Sequence, residues 1–191
     1  MGKIHLYPFM SFRPKVRRSD TDIYTAALRH FFINELRNIY WVEKYLPEVF
    51  IYMANAAFSE ELKAAFEAHT EITCVQITRL EMVFDALSLK PRAKKCRAMQ
   101  VIVQESKTII KQTKEPTAVR DLGLISTGRK VDHYEIAAYS EMIKLSCSLG
   151  LHKVCQSLYM TMEEEMDADT DLREIAGNPI YWEPLHKHHV A

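Results

Sequence analysis

The chain of 191 residues is long enough for one domain with a sizeable hydrophobic core. Its 25 basic and 25 acidic side chains cancel, so no overall field favours binding to nucleic acid or to a membrane surface. No apolar run reaches the ~18 residues of a membrane span, and the N-terminal segment lacks the apolar core of a signal peptide. We therefore expect a cytoplasmic protein.

The predicted structure is almost entirely helical, because glycine and proline are scarce and alternating apolar patterns are few. We expect an irregular arm over residues 1–22, a helical bundle over 23–177 and a tail over 178–191. The predicted helices, in chain order, are a long one over 25–57, a second from the N-cap Ser59 to about Leu87, a shorter one over 94–112, and two long ones over 117–149 and 152–176. We expect Gly150 and Gly177 to end the last two.

The cysteines are expected to be reduced thiols. None has the C-x-x-C spacing of a zinc or redox motif, and all lie within helical patterns: Cys74, Cys96, Cys147 and Cys155. Such cysteines are typical of cytosolic proteins.

Four long helices with a shorter one between the second and third predict a bundle with a crossover connection. The fold class is therefore all-α, and the arrangement is the ferritin-like four-helix bundle found in carboxylate-bridged metal proteins.

Each long helix carries an acid or a histidine within the apolar stripe that should face the core. Glu43, for example, interrupts a stripe that includes Leu36, Leu46 and Phe50. The residues that interrupt the stripes are Glu43 on the first long helix, His69 on the second, Asp132 and Glu135 on the third, and Glu165 on the fourth, with Asp169 at the edge of that stripe.

Buried carboxylates need a positive partner, because an isolated ionised acid in an apolar interior costs several kcal/mol. The nearby basic residues are predicted to fall off the inward rows: Arg37, Lys44, Arg79 and Lys130. One or two metal ions would supply the charge instead. Carboxylates with an imidazole suit iron or manganese, and also zinc.

Each ligand assignment has a structural alternative. Glu43 and Glu135 could each form a core ion pair, and His69 could be a hydrogen-bonded core histidine. Buried tyrosines such as Tyr139 are expected to pack in the core, where one could hydrogen-bond a ligand carboxylate.

Several segments resemble one family, in order and with matching gaps over about residues 28–176. They include "NELRNIYWVEKYLPEVFIYMANAA", "KKCRAMQ", "KVDHYEIAAYSEM" and "EEEMDADTDLREIA". These segments resemble the YciF-like bacterial stress-response proteins of the ferritin-like superfamily. The resemblance implies a ferritin-like bundle, a homodimer and a dinuclear metal site. The candidate ligand positions that it implies are Glu43, His69, Glu135, the Glu164/Glu165 cluster and Asp169.

The chain departs from this family at three positions. Ile72 stands where the family usually has Glu or Gln, one turn after His69. Cys74 replaces a frequent His or Lys, and Gln100 replaces a usual Glu. Because Ile72 cannot bind metal, a single ion or an altered pair is expected in place of a complete dinuclear centre.

Three functions follow as hypotheses. The first is a metal-binding stress-response protein with iron and peroxide redox chemistry, of ferroxidase or peroxide-scavenging type, with oxygen or peroxide as its small-molecule partner. The second is a metal-free bundle dimer with a structural or partner-binding role. The third uses basic residues of the arm, such as Arg13 and Arg17, to bind an acidic surface or DNA.

Overall fold

The protein is described here from a computed structural model that covers residues 18–182, with side chains from Thr21 onward. Within that range the chain forms five α-helices, a short 3-10 helix and no strand, which confirms the all-α fold class. The elements are α1 (Arg18–Ala56), α2 (Glu60–Ala86), α3 (Arg97–Gln112), α4 (Ala118–Ser148), α5 (His152–Ala176) and the 3-10 helix Pro179–Tyr181.

The helix ends follow the predicted signals closely. The Ser59 hydroxyl accepts a hydrogen bond from the backbone N–H of Leu62 and caps α2. Gly150, just past the end of α4, has a φ of 71°, a left-handed conformation that glycine adopts without steric cost. These signals depend on local backbone chemistry, so they can be predicted from the sequence without knowledge of the tertiary fold.

Helix α1 begins earlier than predicted, at Arg18 instead of about Thr25. Nearly all side chains between Thr21 and His30 are exposed, so this part of the helix has no core-facing stripe for the sequence pattern to reveal. The rest of the predicted arm, residues 1–17, lies outside the described residues.

Helices α1 and α2 pack as one pair and α4 and α5 as another, while α3 lies on α4 and crosses between the pairs. The core between them is fully buried and rich in aromatic and aliphatic side chains. It includes Phe32, Leu36, Leu46, Phe50, Phe66, Leu80, Phe84 and Leu158. The polar residues that interrupt the apolar stripes lie within this core.

The prediction that all four cysteines are reduced is wrong for two of them. Cys147 and Cys155 form a disulfide across the turn between α4 and α5, with their Cα atoms 5.5 Å apart. The tight turn at Gly150 brings the end of one helix beside the start of the next. Because disulfides are typical of oxidising compartments, cysteine usage no longer supports a cytoplasmic location. Cys74 and Cys96 are free thiols.

The start of the predicted tail belongs to the bundle. Tyr181 is buried, and its hydroxyl donates a hydrogen bond to Asp121, whose carboxylate also accepts from the backbone N–H groups of Phe58 and Ser59. The tail histidines, from His186 onward, lie outside the described residues. No helix between residues 18 and 182 combines the length and the apolar character needed to cross a bilayer.

Candidate metal centre

Four buried side chains from three helices meet in the centre of the bundle. His69 comes from α2, Asp132 and Glu135 from α4, and Glu165 from α5. Each offers one nitrogen or oxygen atom, and these atoms all lie within 4.8 Å of one another. Asp132 and Glu135 share a face of α4 because residues three apart are neighbours on a helix. We call these four residues the central cluster.

Two hydrogen bonds fix the carboxylate of Glu165. The side-chain amide of Gln76 donates to one oxygen at 2.6 Å, and the Nε2 atom of His69 lies 3.2 Å from the other. Phe50 stacks on the imidazole of His69, with ring centroids 4.3 Å apart. His69 and Glu165 are therefore held in position by the surrounding structure.

Asp132 and Glu135 are buried without a hydrogen-bond donor, and the nearest positive partner is the imidazole of His69 when it is protonated. Among the described residues, no N–H or hydroxyl group donates to any of their four carboxyl oxygens, and neither residue is more than 1% exposed. Glu135 lies within hydrogen-bond reach of Glu165, so these two carboxyl groups can share a proton when no cation is bound. The Nδ1 atom of His69 is 3.9 Å from Asp132, which is too long for a hydrogen bond. Buried polar groups are almost always satisfied, so four orphaned oxygens in one place require a partner. A cation at the central cluster would satisfy them, and the donor set of carboxylates and imidazole fits a transition metal.

The electrostatics of the central cluster favour protons or a cation. Burial, reinforced by the charge of Glu165, raises the pKa values of Asp132 and Glu135 well above their usual range. Burial alone would lower the pKa of His69, but its hydrogen bond to Glu165 and the neighbouring carboxylates raise it to about 9. A divalent ion would replace protons that these groups otherwise keep near neutral pH.

Glu43 lies beside the central cluster and outside it. It is fully buried, one of its oxygens accepts a hydrogen bond from the hydroxyl of Tyr139, and the other has no partner. Burial and the charge of Glu165 raise the pKa of Glu43 to about 8. Tyr139 thus has the role expected of one buried tyrosine, that of a hydrogen-bond donor to a candidate ligand.

Asp169 is not brought into the central cluster. Its carboxylate accepts a hydrogen bond from Arg129 at 2.7 Å and lies 3.1 Å from the Nε2 atom of His133. The Arg129 guanidinium supplies its positive partner, and together with His133 it lowers the pKa of Asp169 even though burial opposes that shift.

Arg79 and Glu164, the latter a candidate ligand position by family resemblance, instead form an ion pair beside the central cluster. Arg79 was expected to fall off the inward rows, but it is buried, and its guanidinium donates to both oxygens of Glu164 at 2.7 Å. It also donates to the hydroxyl of Thr161. A long arginine side chain can reach inward from the edge of a helix face, which the spacing of Cα positions does not reveal.

Ile72 has less influence on the centre than the family pattern suggested. It is 38% exposed and lines a cleft that reaches His69, but it is not one of the four side chains that meet in the central cluster. The inward polar residue that follows His69 on α2 is Gln76, which is fully buried and bound to Glu165.

The chain belongs to the family described as "Domain of unknown function (DUF892)", which matches residues 27–181. Protein YciF of Escherichia coli strain K12 is 39% identical to it over 155 residues, which are 81% of this chain and 93% of that protein. This relative confirms the resemblance to YciF-like proteins.

Solved structures show the same fold. The crystal structure of the E. coli stress protein YciF superposes with a TM-score of 0.76 at 36% identity, covering 81% of this chain and 98% of that one. YcfI, described as a putative structural protein from Rhodopseudomonas palustris, gives 0.74 at 26% identity, covering 85% and 97%. A protein from Xanthomonas campestris, at 21% identity, shares the fold with a TM-score of 0.63, covering 85% of this chain and 99% of that one.

Proposed function

We propose that this chain is a metal-binding stress-response protein in which His69, Asp132, Glu135 and Glu165 hold a transition-metal ion, iron in the first instance. The observation that carries this proposal is the set of orphaned oxygens on Asp132 and Glu135. A bundle without a cation function has no reason to keep two uncompensated acids beside a third acid and a histidine, because apolar residues would be more stable there.

The number of metal ions that the site can hold depends on the negative charge of its buried carboxylates. One divalent ion fits the central cluster and leaves Glu43 to keep a proton on its free oxygen. A second ion beside Glu43 would allow the three acids of the central cluster and Glu43 to ionise together without excess charge. We propose one ion as the basic state, with Glu43 as the further ligand when two ions bind.

Iron at this place would supply one-electron redox chemistry towards oxygen or peroxide, so the proposed activity is of ferroxidase or peroxide-scavenging type. The protein's own residues have supporting roles. Gln76 orients Glu165, Tyr139 holds Glu43, and Phe50 covers one face of the His69 ring. Such supporting contacts fix ligand geometry and exclude bulk water.

Untagged protein is first stripped with a chelator and then incubated with iron, manganese or zinc. After dialysis it is expected to retain the added metal near stoichiometrically, as measured by elemental analysis. Free ion at about 100 times the dissociation constant should stabilise the fold by about 2.7 kcal/mol, which raises the melting temperature by about 5–11 °C for a chain of this size. Asp132→Asn should reduce both effects strongly.

Asp169→Asn is the matched control, because it makes the same chemical change to an acid that Arg129 already neutralises. It should leave metal binding unchanged. Equal binding by wild type and Asp132→Asn, or no binding by wild type, would contradict the proposal.

A metal-free structural role is the second candidate. It is favoured by the description of the R. palustris relative as a putative structural protein. The pairs Arg79–Glu164 and Arg129–Asp169 also show that the bundle neutralises some of its acids with its own cations. The elemental analysis and the melting temperatures separate the two functions. A structural bundle would bind no metal, and Asp132→Asn would not change its response to added metal.

A further inference from the structure

A cleft between α2 and α5 leads from the surface to the central cluster. Its volume is about 140 Å³, and His69 is one of its lining residues, together with the apolar side chains of Phe66 and Leu172. Small residues on both helices keep the mouth of the cleft open: Ala65, Ala68 and Ala168.

The α5 side of the mouth is acidic. Asp167 and Asp171 are exposed and lie one turn apart on α5. Within residues 18–182 neither side chain makes an ion pair or a hydrogen bond, whereas the nearby Glu164 and Asp169 are both paired with arginines. Like charges at this spacing oppose each other slightly, so the pair is not there to stabilise the helix.

The inner end of the cleft provides a second, independent indication of a cation. His69 is 5% exposed, and within 4.8 Å of its ligand atom lie those of Asp132 and Glu135, whose oxygens have no partner. An ion that reaches His69 through the cleft is therefore next to unsatisfied carboxylates.

Two other cavities lack the combination of exposed acids at the mouth and a candidate metal ligand at the inner end. The groove beside α3, of about 760 Å³, is lined by Arg97 and Lys107, and another of about 330 Å³ is lined by Arg129 and Lys130. None of the four residues of the central cluster lines either cavity.

We propose that the cleft between α2 and α5 is the route by which a divalent cation reaches the centre, with Asp167 and Asp171 attracting the ion and His69 as its first ligand. This inference rests on the proposed function. Charge at the mouth of a cleft raises the local concentration of counter-ions and the association rate, and salt screens the effect.

The test measures the rate of Co²⁺ uptake by chelator-treated full-length protein in a stopped-flow instrument, using the visible absorption of the bound ion. The double variant Asp167→Asn/Asp171→Asn should take up Co²⁺ at least about fivefold more slowly at low ionic strength. The difference should largely disappear at about 0.5 M salt, and the final stoichiometry should equal that of wild type.

A steric variant provides a second measurement that does not depend on charge. Ala68 is exposed, so Ala68→Trp should fold normally while its ring narrows the mouth of the cleft. Uptake and chelator-driven release should both become slower by a similar factor, because a blocked route changes rates in both directions and leaves the equilibrium alone.

Asp85→Asn is the matched control, since it removes an exposed acid at the far end of α2, outside the cleft. Wild-type uptake rates in both cleft variants, with normal stoichiometry, would overturn the route and leave the metal centre intact. Absence of Co²⁺ binding by wild type would overturn the proposed function and the route together.

Discussion

Glu135→Met is expected to leave the chelator-treated protein at least as stable as wild type while abolishing metal retention. The carboxyl group of Glu135 is fully buried and accepts no hydrogen bond from an N–H or hydroxyl group, so a methionine of similar length removes a poorly compensated polar group without opening a large cavity. Replacing a complete buried ion pair with apolar residues is often neutral or stabilising by about 1–4 kcal/mol, and over the described part of the chain Glu135 forms no ion pair whose other member would be left behind. Urea denaturation in the presence of chelator measures the change.

Glu165→Met provides the matched comparison. This substitution leaves His69 without its buried hydrogen-bond partner and removes one of the two acceptors of the Gln76 amide, which keeps Glu164. It should therefore destabilise the chelator-treated protein by about 1–3 kcal/mol. If Glu135→Met were as destabilising as Glu165→Met, Glu135 would have a structural partner, and the case for a cation there would fail.

The chelator-treated protein is expected to lose stability as pH rises, and bound metal should weaken or reverse this trend. The pKa of Glu43 is raised from 4.5 to about 8, so the folded state keeps a proton that the unfolded state has lost across that window. Because the unfolded state binds fewer protons, stability falls with pH there. For His69, whose pKa is raised from 6.5 to about 9, the stabilisation is complete below 6.5 and is lost through about 9. Both groups therefore act in the same direction.

Thermal melts between about pH 5.5 and pH 8.5 should show the melting temperature of the chelated protein falling by at least about 5 °C. With saturating metal the fall should be smaller or reversed, since ions compete with protons for the same ligands. Glu43→Gln, which removes one of the titrating groups, should flatten the profile of the chelated protein. A melting temperature that rises with pH in the chelated protein would contradict the assigned protonation states.

The fold could be predicted because short stretches of the sequence determine where each helix begins, ends and faces the core. The core-facing stripes on four helices, the cap at Ser59 and the stop at Gly150 depend on helix geometry and backbone conformation. The exposed first turns of α1 were missed because nothing there faces a core. The disulfide between Cys147 and Cys155 was missed because eight residues around a tight turn show no cysteine motif.

The centre was predictable in part. The stripes identified the central cluster because a buried acid interrupts an apolar row wherever it lies along the helix. They could not separate Glu165, which faces His69, from Asp169, which Arg129 neutralises, since that depends on the reach of an arginine from another helix. Arg79 was misplaced for the same reason. The homodimer and the cytoplasmic location stay predictions.

The most direct measurement of the central claim is anomalous X-ray diffraction from crystals of the full chain soaked with Mn²⁺ or Fe²⁺. We expect an anomalous peak bounded by His69, Asp132, Glu135 and Glu165. Ions found elsewhere on the protein, with no peak among these four side chains, would contradict it.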